Sequence, residues 1–372
     1  MAGIYVHIPF CKQRCIYCDF YSTALHDRID TYVDCLVKEA RMRPAEDIKT
    51  VYFGGGTPSQ LSPEQMTRLV NGLRCNYDLS GVEEFTVEVN PDDVTVEYMH
   101  MLKLLGVNRI SMGVQSFVDS ELALINRRHN AQGALDAIAC MRQAGIDNVS
   151  VDLIYGIPGQ TLASWRESVS VALSVGAQHI SAYNLSYEMG TRLWQMRERG
   201  EITEVDEATC VEMYKTLTKM LRDAGYVHYE ISNYSLPEFH SRHNSSYWDC
   251  TPYVGLGASA HSYDGIHRSY NPASINEYIG KINRGELASV VEETEWWERY
   301  DETIMIGLRT ARGLDTEMIK REFGDKVCDY LLSNAQQYID SKELVKEGAN
   351  IRITEYAFMM SDAIIRDLMW DE

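Results

Sequence analysis

Between Gly3 and Asn184, short runs of alternating apolar residues and longer stretches of helical periodicity take turns, strand before helix each time. The strand signals are Ile4-Val6-Ile8, Val51-Phe53, Phe85-Val87-Val89, Ile110-Met112-Val114, Val149-Val151-Leu153 and Ile180-Ala182. Five apolar sets lie between them: Ile29, Tyr32, Val33, Leu36, Val37 and Ala40; Met66, Leu69, Val70 and Leu73; Tyr98, Met101, Leu102 and Leu105; Ala134, Ala137, Ile138 and Met141; Trp165, Val169, Ala172 and Leu173. Spacings of three and four residues put each set on one helix face. Adjacent parallel strands need a crossover, and a helix after each strand supplies it. The first half of the chain is therefore committed to a parallel sheet.

The residues between the apolar strand positions are polar: Tyr5 and His7, Thr86, Glu88 and Asn90, Ser111, Gly113 and Gln115, Ser150 and Asp152. Alternate strand residues point to opposite faces. With the apolar positions toward the helices, the polar ones converge on one space, which a complete eight-stranded barrel would fill with branched apolar side chains. An open, partial barrel of six units around a polar ligand follows; an open sheet with one hydrated face is disfavoured because parallel sheets are covered on both sides. From about residue 190 the alternation stops. Helical patterns at 205–224 and 293–310, a two-strand signal at Leu344-Val345 and Ile351-Ile353, and an amphipathic stretch from Ala357 to Leu368 predict a mixed, mainly helical second domain with a winged-helix-like end. The expected division is 1–190 and 191–372.

Three of the nine cysteines, Cys11, Cys15 and Cys18, fall in the loop after the first strand. Three thiolates do not complete a tetrahedral zinc site, and no nearby His stands at finger spacing. A four-iron cubane, usually held by four Cys, would be left with one iron open to a non-protein ligand. Active sites of strand–helix barrels occupy the carboxyl ends of the strands. The Cys loop, Gly54-Gly55-Gly56-Thr57-Pro58, Glu88, Gln115, and Asp152 running into Gly156-Ile157-Pro158-Gly159-Gln160 all fall there. The glycines let bare backbone approach a ligand, and no Walker lysine follows them.

CxxxCxxC with an aromatic two residues on (Phe20) resembles the radical S-adenosylmethionine (SAM) superfamily. The resemblance implies a partial (β/α)6 TIM-like barrel and a [4Fe-4S] cluster on Cys11, Cys15 and Cys18, with the SAM amino and carboxylate groups on the open iron. EVNP, GVQSF, INRRH and DLIYGIPGQT narrow it to the oxygen-independent coproporphyrinogen oxidase-like branch. By that likeness Glu88, Gln115, Arg127 and Asp152 hold the SAM ribose and carboxylate, Gly55, Gly56 and Thr57 its amino group, and Tyr5 and Tyr17 flank the cluster. Glu88, Gln115 and Asp152, each taken alone, read more readily as capped or solvated strand ends. As chemistry the assignment is sound, since a carboxylate accepts both ribose hydroxyls and an Arg pairs bidentately with a carboxylate.

His243-Asn244-Ser245-Ser246-Tyr247-Trp248 stands in the second half. A His beside two aromatics suits a porphyrin, with imidazole as axial ligand, and equally suits a satisfied surface loop. HNxxYW resembles the signature of the heme-chaperone family related to coproporphyrinogen III oxidase, and that likeness implies heme binding by His243, Asn244, Tyr247 and Trp248, with His243 as iron ligand. His261 and Cys250 are the nearest other candidates. The likeness runs from YVHIPFC through GLGASAHS to LRTARGLD. The oxidase pattern has a fourth Cys where Phe20 stands, and only four residues precede Tyr5, so the oxidase extension is not expected. Ile16 replaces the Pro usual in the chaperone family. These features favour heme binding and transfer to an acceptor protein over radical decarboxylation of coproporphyrinogen, the alternative activity; SAM cleavage would require an electron donor.

A net charge of −19, with no Lys/Arg stripe, disfavours nucleic acid as a partner. No apolar run reaches membrane-spanning length, and the first strand begins too near Met1 to admit a signal peptide. A cytosolic protein is expected, in a compartment where cysteines serve metal chemistry rather than disulfides.

Overall fold

The computed structural model describes residues 2–371. Two compact units are distinguished, one comprising Met1–Met213 and Ser241–Glu292, the other Tyr214–His240 and Glu293–Glu372. A division at 190 is a single cut, whereas these units interleave along the chain, and 241–292 groups with the barrel.

The first unit begins with six parallel strands: β1 (Ala2–Ile8), β2 (Ile48–Gly55), β3 (Glu84–Val89), β4 (Arg109–Gln115), β5 (Val149–Tyr155) and β6 (His179–Asn184), each paired with its predecessor. Local signals start the intervening helices. Ser62, Thr95, Asn130 and Thr161 each accept a backbone N–H of the first helical turn, satisfying donors that a helix start leaves unpaired. The apolar strand positions Ile4, Val6, Val51, Phe53, Val87, Ile110, Met112, Val151 and Ile180 are fully buried, as are Val33, Leu36, Leu69, Leu102 and Val169 on the helices. That layer is the core, and the fold class is the partial barrel expected from the alternation.

The polar positions meet inside it. Ser111 Oγ donates to Asp152 at 3.4 Å, Arg109 Nη1 reaches Thr86 Oγ1 at 3.5 Å, and Ser150 Oγ shares a 2.7 Å hydrogen bond with His179 Nδ1. In the second unit Val227–Glu230 (β7) and Asn233–Ser235 (β8) form an antiparallel hairpin. Returning to the first unit, β9 (Tyr253–Leu256) pairs in parallel with the free edge of β1, a seventh parallel strand that the six-unit pattern did not reveal. Its signal, a four-residue run in a Gly-rich stretch with no helix before it of barrel length, lacks the periodicity on which the other six were read. Three short antiparallel strands, β10 (His261–Tyr263), β11 (Arg268–Tyr270) and β12 (Val290–Val291), extend that edge.

The remainder of the second unit has helices Glu207–Asp223 (from Tyr214 onward), Trp296–Leu308, Thr316–Phe323, Asp325–Asp340 and Ser361–Leu368, with a three-stranded sheet, β13 (Leu314–Asp315), β15 (Asn350–Ile353) and β14 (Leu344–Glu347) in that spatial order. The helices, strand pair and final helix read from the sequence are all present. Among the described residues no helix is long and apolar enough to cross a membrane.

Candidate functional site

The loop after β1 is held by backbone and by packing. Cys11 N donates to Thr23 O at 3.1 Å and Thr23 N to Pro9 O at 2.7 Å. Between the second and third cysteines, Ile16 is 4% exposed and packs with Ile125, Ile154, Ile157, Leu185 and Leu193. Its N–H donates to Ile125 O at 3.3 Å, and its carbonyl accepts from Leu193 N at 2.8 Å. Ile16 therefore anchors the loop by a side chain and by an N–H that a proline would lack.

The three thiols are free and partly exposed, and all line one cavity of about 510 Å³. Arg127 Nη1 donates to Cys15 Sγ at 3.4 Å, and Cys11 Sγ lies 3.5 Å from Thr57 Oγ1. Burial raises the Cys11 and Cys18 thiol pKa values. Among the described residues, no three of His, Cys, Asp and Glu gather closely enough to hold a single metal ion. A cubane presents separate irons to separate thiolates, so it does not need that convergence.

The same cavity is walled by Tyr17, Gly55, Gly56, Thr57, Glu88, Gln115, Arg127 and Asp152. The glycines have a further reason to lack side chains: a Cβ on Gly55, at φ +110°, would fall 2.6 Å from the His7 ring, and one on Gly56 would fall 2.7 Å from Pro9 C. Their backbone lines the cavity, with His7 and Pro9 in the space a side chain would need. At β4 the register shifts between Gly113 and Gln115, and Gln115 takes φ 71°. A bulge re-aims a side chain in this way, and Gln115 lines the cavity as a result.

Glu88 Oε1 accepts from Tyr52 Oη at 2.7 Å and Oε2 from Gly55 N at 3.2 Å. Desolvation inside the barrel raises Glu88 to about 7 and Asp152 to about 6, against hydrogen bonds that lower them. Arg127 also donates to Asn90 Oδ1 at 3.0 Å and to Gly113 O, while its Nε is buried without a partner. An open cavity with thiols, raised carboxylates and an incompletely satisfied guanidinium has the donor set for a cluster and a zwitterionic, ribose-bearing ligand.

Further wall residues were not singled out as binders in the sequence: Arg14, Phe20, Asn90, Ser111, Tyr183 and Asn184 among them. Tyr183 and Asn184 end β6, so the rule that located the other strand ends would have found them. Conversely, Gly156 to Gln160 forms a closed turn. Gln160 Oε1 accepts from Gly156 N at 2.8 Å and its Nε2 donates to Glu121 at 2.9 Å.

Tyr5 is not in the cavity wall. It stacks on Tyr52 at 6.1 Å and on His243 at 6.4 Å. The expected heme residues lie elsewhere too, on the helix Arg242–Trp248. Arg242 N and His243 N donate to the Glu84 carboxylate at 2.8 and 2.9 Å. His243 is fully buried, its Nδ1 is 2.8 Å from Thr50 Oγ1 and its Nε2 2.9 Å from Tyr247 Oη. Burial and the Arg109 charge push its pKa down to about 3, so the ring is neutral. Thr50 and Glu84 stand at the start of their strands. The helix thus closes the amino end of the barrel, opposite the cavity, and the His243 ring offers iron no free nitrogen in this arrangement.

Residues 5–172 match the Radical SAM superfamily and residues 296–360 the HemN C-terminal domain. The structure of coproporphyrinogen III oxidase (HemN) from Escherichia coli superposes with a TM-score of 0.85 at 21% identity, covering 99% of this chain and 90% of that one. Fold and sequence together define a radical SAM protein with a HemN-type carboxyl-terminal region, a class that implies SAM and a [4Fe-4S] cluster. The heme chaperone HemW of Lactococcus lactis is 33% identical over 99% of this chain and 97% of its own length. That of Bacillus subtilis is 35% identical over 87% of each. The chain belongs to the HemW family.

Proposed function

We propose that this protein is a heme chaperone that binds heme, carries a SAM-ligated [4Fe-4S] cluster and passes heme to an acceptor protein. The reading is carried by one observation: three free thiols share a cavity with polar groups suited to SAM, in a family whose relatives are named heme chaperones. Cys11, Cys15 and Cys18 would hold the cluster as thiolates. Arg127 would pair with the SAM carboxylate, Glu88 and Asp152 would accept from ribose hydroxyls, and Gln115, Tyr17 and the Gly55 to Thr57 backbone would complete the seat. When bound, the cluster supplies one-electron reducing chemistry toward SAM. The protein's own residues would orient SAM.

Phe20, where the oxidase pattern has a further Cys, supports binding over turnover. His261 and Cys250, the nearest other candidates in the sequence, are exposed residues and are the alternative candidate iron ligands. One anaerobic preparation should be assayed three ways: heme titration by Soret absorbance, heme transfer to an apo-hemoprotein, and coproporphyrinogen decarboxylation. Stoichiometric heme binding with transfer, and no decarboxylation above a cluster-free control, is the expected outcome. Sustained decarboxylation would replace this reading with the oxidase.

A further inference from the structure

The signature helix and the cavity are linked through one side chain. The His243 ring stacks on Tyr52 with centroids 5.0 Å apart and planes 22° apart. Tyr52 Oη donates to Glu88 Oε1 at 2.7 Å, and the other oxygen of that carboxylate accepts from Gly55 N. Glu88 and Gly55 are cavity wall; His243 and Tyr52 are not.

The rest of the surroundings fix His243 in place. Thr50 and Tyr247 hold its two nitrogens, Tyr247 meets it edge-on at 5.2 Å, and Glu84 accepts its backbone N–H. A Cβ on Gly3 would come within 3.2 Å of the ring, so β1 makes room for it. A buried imidazole with both nitrogens satisfied, pressed on the tyrosine that orients a cavity carboxylate, is built to hold something still. An iron bond would require breaking one of those hydrogen bonds inside the barrel and leaving a buried partner unpaired.

We infer that His243 of the HNxxYW motif is a positioning residue for the SAM seat: it fixes Tyr52, which in turn orients Glu88. The inference rests on the SAM assignment of the cavity made above, and deepens it by giving the motif a role at the opposite end of the barrel. Removing the ring frees Tyr52 to leave Glu88, while removing only the Tyr52 hydroxyl breaks the same link one step later. The two changes should therefore not add.

The test uses the full chain as wild type, His243→Ala, Tyr52→Phe and the double variant. SAM affinity is read by equilibrium binding to reconstituted protein, heme by Soret titration, and the Glu88 carboxyl by its infrared band in SAM-free, cluster-free protein, assigned with Glu88→Gln. Each single variant should weaken SAM by about tenfold, the scale of one hydrogen bond to a charged group. The double variant should be no weaker than the weaker single, with iron content and heme spectrum unchanged. Because the Tyr52 hydrogen bond lowers the Glu88 pKa, both singles should raise its midpoint; Asp152 and Arg109, the other charges acting on it, are retained throughout. His243→Phe, which keeps a ring on Tyr52 but cannot ligate iron, should retain more SAM affinity than His243→Ala with the heme spectrum unchanged, and far-UV circular dichroism of every variant separates these readings from a folding failure. A heme spectrum lost in His243→Phe, or additive losses of SAM affinity, or a Glu88 midpoint moved by Tyr52→Phe and not by His243→Ala, would overturn the inference. Wild-type protein that carries its cluster yet binds no SAM would instead overturn the cavity assignment, and the Glu88 midpoints would still decide the link.

Discussion

The two ends of the barrel strands are both polar, yet they treat their polar groups in opposite ways. At the amino end, Thr50, Glu84, His243 and Tyr247 satisfy one another and exclude solvent. At the carboxyl end, thiols, carboxylates and Arg127 face an open cavity; a buried unpaired Nε occurs at both ends, on Arg127 and on Arg109 at the start of β4, so it is the cavity that distinguishes them. Buried polar groups cost free energy unless paired. A closed set therefore marks a plug, and an open set marks a place where something else completes the pairing. Residue type does not separate the two ends: each has a Glu, and the His and Tyr that suggest heme belong to the plug.

The largest expected effect tests the open end. Replacing Cys11, Cys15 and Cys18 together by Ala should abolish cluster reconstitution, read as iron, sulfide and charge-transfer absorption, while far-UV circular dichroism stays as in the wild type. Retention of the cluster would erase the contrast. Next comes the anchor of that loop. Ile16→Ala removes a side chain that is 4% exposed and should cost about 2–5 kcal/mol in denaturant unfolding, the usual range for such a truncation.

At the closed end, Thr50→Val leaves His243 Nδ1 without its partner, and should cost about 1–3 kcal/mol with iron content unchanged. If Thr50→Val instead removed iron without loss of stability, the roles of the two ends would have to be exchanged.

The smallest effect sharpens the comparison through pH. Glu88, near 7, and Asp152, near 6, both bind their protons more tightly in the folded protein than their ordinary values of 4.5 and 3.8 allow. The SAM-free protein should consequently lose stability from these groups as pH rises from about 4 to about 7, because the folded state holds the extra protons. SAM needs the carboxylates as acceptors, so its affinity should rise as Glu88 ionises, by about tenfold between pH 6 and 8 if Glu88 dominates. Glu88→Gln should flatten that step. His243, pushed down to about 3 from its ordinary 6.5, acts with the opposite sign, adding stability as pH rises from about 3 to about 6.5 because unfolding takes up a proton there, and should contribute nothing to the SAM step.

The sequence by itself determined the barrel and most of the open end. Strand alternation and helical periodicity are local, and the sheet then has only one arrangement in which apolar faces meet helices. The carboxyl-end rule placed Glu88, Gln115, Asp152 and the three cysteines, and the family resemblance added Arg127, around what is a single cavity. Tertiary structure alone decided four matters. It placed β9 beside β1, a pairing of residues far apart in the chain. It gave Gly55 and Gly56 their second reason to be bare, since His7 and Pro9 come from β1 and the residue that follows it. It took Tyr5 out of the cavity and into a stack with Tyr52 and His243. It put the HNxxYW helix at the amino end of the barrel. The physical reason is common to all four: periodicity records which face of its own element a side chain occupies, whereas hydrogen-bond satisfaction depends on partners brought from elsewhere. A His is a ligand or a keystone according to whether its two nitrogens are already taken, and only the fold brings Thr50 and Tyr247 to them.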